Sequence, residues 1–176
     1  MQVIRRSRMQ FPPEAYLIKN KMSNKIEKQY NELRKKHKLP DFKEIDFEFE
    51  ISDLDETNFL IRAIIRRIAE KLDFHTTMLE EVLQPDTSNL YAMHETGFFD
   101  EGEKKQMYDL YRNMMNFNRQ SVEILLENNE KDQADFINNF LKEWREIKNE
   151  LLGFIKKMRS SWKTDVDIEE DVGYLG

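Results

Sequence analysis

The side chains best suited to acid–base or ligand chemistry lie in one segment of the chain. Residues 85–100 contain His94 followed by Glu95, and Tyr91 precedes His94 by three positions. Imidazole, carboxylate and phenol groups can exchange protons or orient a ligand. The segment has no sustained helical pattern, and long connections of this kind concentrate binding residues. Tyr91, His94 and Glu95 therefore predict a candidate pocket.

The familiar catalytic and metal-binding motifs are missing from the sequence. The chain has no cysteine, three histidines and five glycines. No Glu-x-x-His pair, HExxH motif, GxGxxG fingerprint or phosphate loop is present. We therefore predict no catalytic residue, no metal ligand and no cofactor.

Length and composition indicate one domain with an adequate core. The chain has 176 residues, of which 35% are charged, and a net charge of −6; its mean hydropathy is −0.78. Twelve Phe and nine Met supply bulk for burial. No apolar run approaches the roughly 18 residues of a membrane span, and no signal-peptide block occurs. We expect a cytoplasmic protein that does not enter a membrane.

Charge is segregated along the chain. Residues 1–38 carry a net charge of +8, residues 39–57 carry −7, and residues 164–176 carry −5. Acidic stretches could neutralise the basic first helix within the molecule, or that helix could be an arm for nucleic acid or an acidic partner. Overall acidity argues against nucleic acid, whose binders are usually basic.

Apolar residues recur every three or four positions in four stretches, which predicts four helices. The first ends before Pro40, and the second begins near Asp55 after Ser52 or Asp53 and ends at Pro85. The third starts with a capping box and breaks at two asparagines, and the fourth has a seven-residue repeat. The predicted fold is all-α, an elongated four-helix bundle over residues 13–163. The third and fourth helices are predicted from the capping box, the two asparagines and the repeat: Asp100, Glu103, Asn128, Asn129, Ile137, Trp144, Leu151 and Met158.

Residues 45–51 depart from helical spacing. They alternate apolar and acidic side chains strictly, which is the period of a strand. No second strand is available to pair with them, so we expect an extended acidic strap between helices one and two. Phe47 and Phe49 would either plug the side of the bundle or offer an edge to a partner.

The two ends of the chain carry separate predictions. A start-like sequence at Met22 suggests that residues 1–21 are an N-terminal extension or a misassigned start, although the helical spacing continues through this junction. Residues 164–176 form an acidic C-terminal tail with spaced apolar positions that include Ile168, Tyr174 and Leu175. Such spacing is typical of a peptide that docks in a groove, on its own bundle or on another chain.

Four short stretches resemble small, uncharacterised archaeal helical proteins, and the similarity spans about residues 22–176. This resemblance implies an intracellular helical protein and no known reaction, so it assigns no catalytic residue. The stretches are Leu-Pro-Asp-Phe-Lys-Glu-Ile-Asp from Leu39, Glu-Lys-Leu from Glu70, Gln-Pro-Asp-Thr from Gln84 and Gly-Tyr-Leu-Gly from Gly173.

Two functional hypotheses follow from these patterns. The first is a non-enzymatic interaction or scaffold protein that binds a protein partner or self-associates, using Phe47, Phe49, Ile168, Tyr174 and Leu175. The second is a small metal- or metabolite-binding enzyme with its site in residues 85–100. Charge segregation and the missing catalytic motifs favour the first.

Overall fold

The structure is a computed structural model that describes residues 13–55 and 58–163 and is all-helical over those residues. Four helices are long and two are short. A 3-10 turn at Ile51–Asp53 follows the first short helix. In chain order the helices are α1 (Pro13–His37), α2 (Phe42–Phe49), α3 (Leu60–Leu83), α4 (Leu90–Gly97), α5 (Glu101–Glu127) and α6 (Glu130–Ser161). The all-α prediction is confirmed, but the described chain has six helices rather than four.

Helix α3 lies at the centre of the packing. It contacts α2, α4, α5 and α6, most extensively α5. Its apolar positions extend around more than one face, so it can bury side chains against several neighbours at once. Nine of its residues are buried: Leu60, Ile61, Ile64, Ile65, Ile68, Leu72, Thr76, Leu79 and Val82.

Most predicted helix ends agree with the structure because local chemistry determines them. Asp100 accepts a hydrogen bond from the Glu103 amide while the Glu103 carboxylate accepts one from the Asp100 amide, which is a complete capping box. Asn128 adopts the left-handed conformation that ends α5. Asn129 then caps α6 by accepting from the Lys131 amide at 3.0 Å.

The extended strap is wrong, because residues 42–49 form helix α2. Asp41 caps its N-terminus by accepting a hydrogen bond from the Lys43 amide at 3.0 Å. Phe42, Ile45 and Phe49 are buried at positions i, i+3 and i+7, which is a helical face. Phe47 is 82% exposed, whereas a strand would have put it on the same face as Phe49.

Two further boundaries differ from prediction. Ser52 and Asp53 belong to the 3-10 turn, and α3 starts only at Leu60, whose preceding residue makes no side-chain cap. Residues 90–97 of the predicted irregular segment form α4, which Asn89 caps. The Thr96 hydroxyl donates to the Val82 carbonyl at 2.8 Å and so fastens α4 to the end of α3.

The seven-residue repeat of α6 is confirmed as its core-facing side. Ile137, Trp144, Leu151 and Met158 are all buried. At 1.5 Å per residue, the 32 residues of α6 span about 48 Å. The helix is therefore long enough to contact α1, α3, α4 and α5 at different heights.

Replacing the two phenylalanines of α2 separately tests the helix against the strap. Phe49→Ala removes a fully buried ring and should lower the free energy of unfolding by about 3–5 kcal/mol. Phe47→Ala removes an exposed ring and should change it by less than about 0.5 kcal/mol. Urea titrations followed by circular dichroism measure both values, and comparable losses would indicate that both rings are buried as in a strap.

Candidate functional site

Helix α2 is held against α6 by aromatic packing. The Phe49 ring lies 5.4 Å from the Trp144 ring and 5.8 Å from the Phe140 ring, between centroids. Distances and tilts of this kind are favourable for aromatic pairs. Because Phe49 points into the core, Phe47, two positions earlier, points away from it.

Phe47 borders a surface groove of about 590 Å³ between α2 and α6. We call this the α2–α6 groove. The Lys148 ammonium lies 5.7 Å from the centroid of the Phe47 ring, within the range of a cation–π contact. The groove combines apolar and basic side chains with two carboxylates; its lining residues are Lys43, Glu44, Phe47, Glu48, Leu141, Trp144, Arg145, Lys148 and Asn149.

Glu48 connects the groove to the core. Its carboxylate accepts hydrogen bonds from the Trp144 indole at 2.9 Å and from the Lys148 ammonium at 2.5 Å, and the Lys71 ammonium donates to its backbone carbonyl. Burial by itself raises the pKa of Glu48, but hydrogen bonds from Lys148 and Trp144 and the nearby positive charges outweigh it, so the pKa is lowered. Glu48 is therefore ionised and paired with Lys148, and the other charged side chains that line the groove are Lys43, Arg145 and Glu44.

A row of exposed cations continues from the groove along α6. Positions 145, 148, 152, 156 and 159 are spaced by three or four residues and so share one side of the helix. All five are exposed, and none is acidic. Among the described residues, Arg145, Lys156 and Arg159 form no hydrogen bond or ion pair with their side chains. We call Arg145, Lys148, Leu152, Lys156 and Arg159 the α6 cation row.

The residues of the predicted pocket are brought to the end of α6, where they are engaged in packing. The His94 ring lies 4.4 Å from the Trp162 ring, between centroids. The Trp162 indole donates to the Glu95 carboxylate at 2.7 Å. Tyr91 is turned towards α3 instead, where a hydrogen bond with the Glu81 carboxylate raises its pKa. His94 and Glu95 thus both contact Trp162, whereas Tyr91 is engaged by Glu81.

The described chain offers little to a metal ion. No group of three or more His, Asp or Glu side chains in residues 13–55 and 58–163 could hold one. A second cavity, of about 520 Å³, lies where α1, α3 and the α5–α6 turn meet. Its cations are already bound, since Lys36 pairs with Glu130 at 2.5 Å and Arg62 donates to Asn128 at 2.7 Å. In the described residues, neither the predicted pocket nor this cavity brings a metal-binding group of side chains together.

Of the five predicted partner-binding residues, only Phe47 is available at the described surface. Phe49 is 2% exposed, which agrees with the alternative in which it plugs the side of the bundle and leaves it inaccessible to a partner in this structure. Ile168, Tyr174 and Leu175 lie outside the described residues, and their role stays a prediction. No helix in the described part of the chain has the length and apolarity needed to cross a membrane.

Sequence reasoning missed an apolar surface along α5. Tyr108, Val122 and Leu126 are 52%, 47% and 80% exposed, and Tyr111 and Met115 are half-buried beside them. These positions are spaced by three, four or seven residues and follow one side of α5, next to its buried face. Exposed Arg119 lies on the same side between Met115 and Val122 and divides the row. We call the five residues the α5 stripe. The sequence indicates such a surface, because α5 carries more apolar positions than one buried helix face requires.

Comparisons of the chain with protein-family models, curated proteins and solved structures gave no match. The resemblance to archaeal helical proteins accordingly stays a prediction.

Glu48→Gln tests whether the carboxylate stabilises the attachment of α2. The lowered pKa means that its contribution is present above the ordinary glutamate pKa of about 4.3 and is lost as the pH falls through the folded-state value. We expect Glu48→Gln to cost about 1 kcal/mol at pH 7, and the difference from wild type to shrink as the pH falls below about 4.3.

Urea unfolding at pH 7, 5, 4 and 3 measures this difference. Glu44→Gln is the matched control, because that side chain lines the same groove and forms no hydrogen bond or ion pair with the described residues. A cost for Glu48→Gln that is independent of pH would contradict the assignment.

Proposed function

We propose that the protein is a non-enzymatic interaction protein whose α2–α6 groove binds a segment that carries both apolar side chains and carboxylates. The observation that carries the proposal is the exposure of the Phe47 side chain beside this groove. Phe47 is 82% exposed and has the Lys148 ammonium over its ring. A ring in this position contributes little to the stability of the fold but is well placed to contact a partner.

Charge complementarity supports this choice of partner. The groove opens onto the α6 cation row, which contains four bases and no acid. A bound segment with carboxylates would pair with cations such as Arg145 and Lys156, while its apolar side chains covered Phe47 and Leu141. Exposed charge pairs of this type add modest affinity but steer binding, so affinity should fall with salt.

The chain's own residues 164–176 have the required composition. They contain five acids, no base and five apolar side chains. They directly follow Lys163, which lies two positions after the last residue of α6. Thirteen residues can extend about 43 Å, and Leu141 lies 22 residues, or about 33 Å, back along the helix. The segment is long enough to reach the groove of its own molecule or of another.

A fluorescent peptide of residues 164–176 is the probe for this proposal. Fluorescence anisotropy should rise when the full chain is added at low salt, and the apparent affinity should fall about tenfold in half-molar sodium chloride. Replacing the five acids of residues 164–176 in the full chain by Asn or Gln removes competition from its own segment. Phe47→Ala and Arg145→Glu should each weaken peptide binding about fivefold or more.

The matched controls are Phe59→Ala and Arg66→Glu, an exposed aromatic and an exposed base near the start of α3. These two should leave the affinity within about twofold of wild type, since they line a different part of the surface. Absence of binding, or equal losses in the control variants, would reject the α2–α6 groove as the site.

A further inference from the structure

The α6 cation row and the α2–α6 groove form one track along α6, and its side chains follow a definite order. From the C-terminal end of the helix, two bases are followed by Leu152, by two more bases and then by the apolar groove. On the α2 side, Glu48 is paired with Lys148, and the charges of Glu44 and Lys43 offset each other. The acids of α6 beyond Leu141 lie more than about 100° around the helix axis from Leu152: Glu143, Glu146 and Glu150.

Residues 164–176 carry the complementary series in the reverse direction. Two acids precede Ile168, three acids follow it, and three apolar side chains come last. A segment that leaves the end of α6 and runs back along the helix therefore brings acids to bases, an isoleucine to Leu152 and apolar side chains to the groove.

The spacing of the two series agrees as well. Leu152 lies midway between the outermost bases of the row, seven residues from each, and these bases are separated by about 21 Å of helix. Ile168 lies midway between Asp165 and Asp171, three residues from each. Six residues of extended chain with three residues per turn span about 19 Å and place these three side chains on one side. The contacts that can form together are Asp165–Arg159, Ile168–Leu152 and Asp171–Arg145.

The same three-residue interval carries the segment into the groove. Tyr174 is six residues beyond Ile168, which is about 19 Å of such an extended chain. Leu141, in the groove lining, is eleven residues back from Leu152, which is about 17 Å of helix. Tyr174 can therefore reach the level at which Phe47 is exposed.

We propose that residues 164–176 lie antiparallel along the α6 cation row of their own molecule and close the α2–α6 groove. This inference rests on the proposed function, because it makes the chain's own segment a competitor of the partner for one site. A free partner segment then binds only the fraction of molecules whose groove is open.

Covalent attachment to α6 favours the groove of the same molecule over that of a second copy. A short connection gives an effective concentration on the order of 1 mM, which exceeds the concentration of other copies in dilute solution. If the isolated segment binds with a dissociation constant of about 0.1 mM, the closed form outnumbers the open form about tenfold. The apparent affinity for a free partner segment is then reduced by about the same factor.

Neutralising the acids of the segment tests whether it competes. The five acids of residues 164–176 are replaced by Asn or Gln in the full chain, and the fluorescent peptide of residues 164–176 is titrated at low salt. The neutralised chain should bind the peptide about tenfold more tightly than the wild type, because its groove is open. Salt weakens the closed form as well as the peptide complex. The full tenfold salt effect is therefore expected in the neutralised chain and a smaller one in the wild type.

Cysteine pairs test the register, since the chain has no cysteine of its own. Leu152→Cys combined with Ile168→Cys should form a disulfide within one molecule when about 1 μM protein is treated with oxidised glutathione. Mass spectrometry after proteolysis measures the rate. Glu150→Cys combined with Ile168→Cys is the matched control, because position 150 is exposed but lies about 160° around α6 from position 152. The control pair should react at least about tenfold more slowly.

Reversal of one charge pair tests the orientation of the segment. Arg145→Glu should slow the cross-link between positions 152 and 168 about threefold or more. Addition of Asp171→Arg should restore the rate, because the pair re-forms with its charges exchanged. Leu126→Glu, in the α5 stripe, is the control for a charge on an unrelated exposed surface and should leave the rate unchanged.

The outcomes separate this inference from the proposed function. Equal peptide affinities of the wild-type and neutralised chains, or equal rates for the two cysteine pairs, would overturn closure and leave the groove as a partner site. Cross-links between molecules in place of those within one molecule would assign the segment to a second copy and likewise overturn it. Peptide binding to the neutralised chain that is insensitive to Phe47→Ala and Arg145→Glu would reject the groove itself.

Discussion

The packing of Phe49 against Trp144 and Phe140 is the contact on which the α2–α6 groove depends. With centroid distances of 5.4 and 5.8 Å, it fixes both the position of α2 on α6 and the rotation of α2 about its axis. That rotation turns Phe47 outward and brings the Glu48 carboxylate to the Trp144 indole and Lys148. The buried Phe49 ring therefore determines the orientation of α2, and the two hydrogen bonds of Glu48 stabilise the same orientation. The exposure of Phe47 is a consequence of it.

The parts of the fold that sequence predicts well are those determined by local chemistry or by long repeats. Asp100 and Glu103 cap each other, and Asn128 tolerates the left-handed conformation, so these ends need no tertiary information. The repeat from Ile137 to Met158 persists for three heptads, which is compatible only with a helix. Residues 42–49 contain too few positions to separate the two periods. Phe42, outside the alternating series, supplies the helical face that decides between them.

The candidate surfaces were harder to predict than the helices, because exposure depends on which neighbour arrives. The alternation in residues 45–51 marks Phe47 and Phe49 alike as partner-binding residues, but the segment is helical, so Phe47 is exposed and Phe49 is buried. Val122 is apolar and lies in a helix, yet it is 47% exposed, since no described helix covers that side of α5. Sequence shows that a side chain is apolar, whereas the contacts of α3 and α6 determine which apolar side chains remain free.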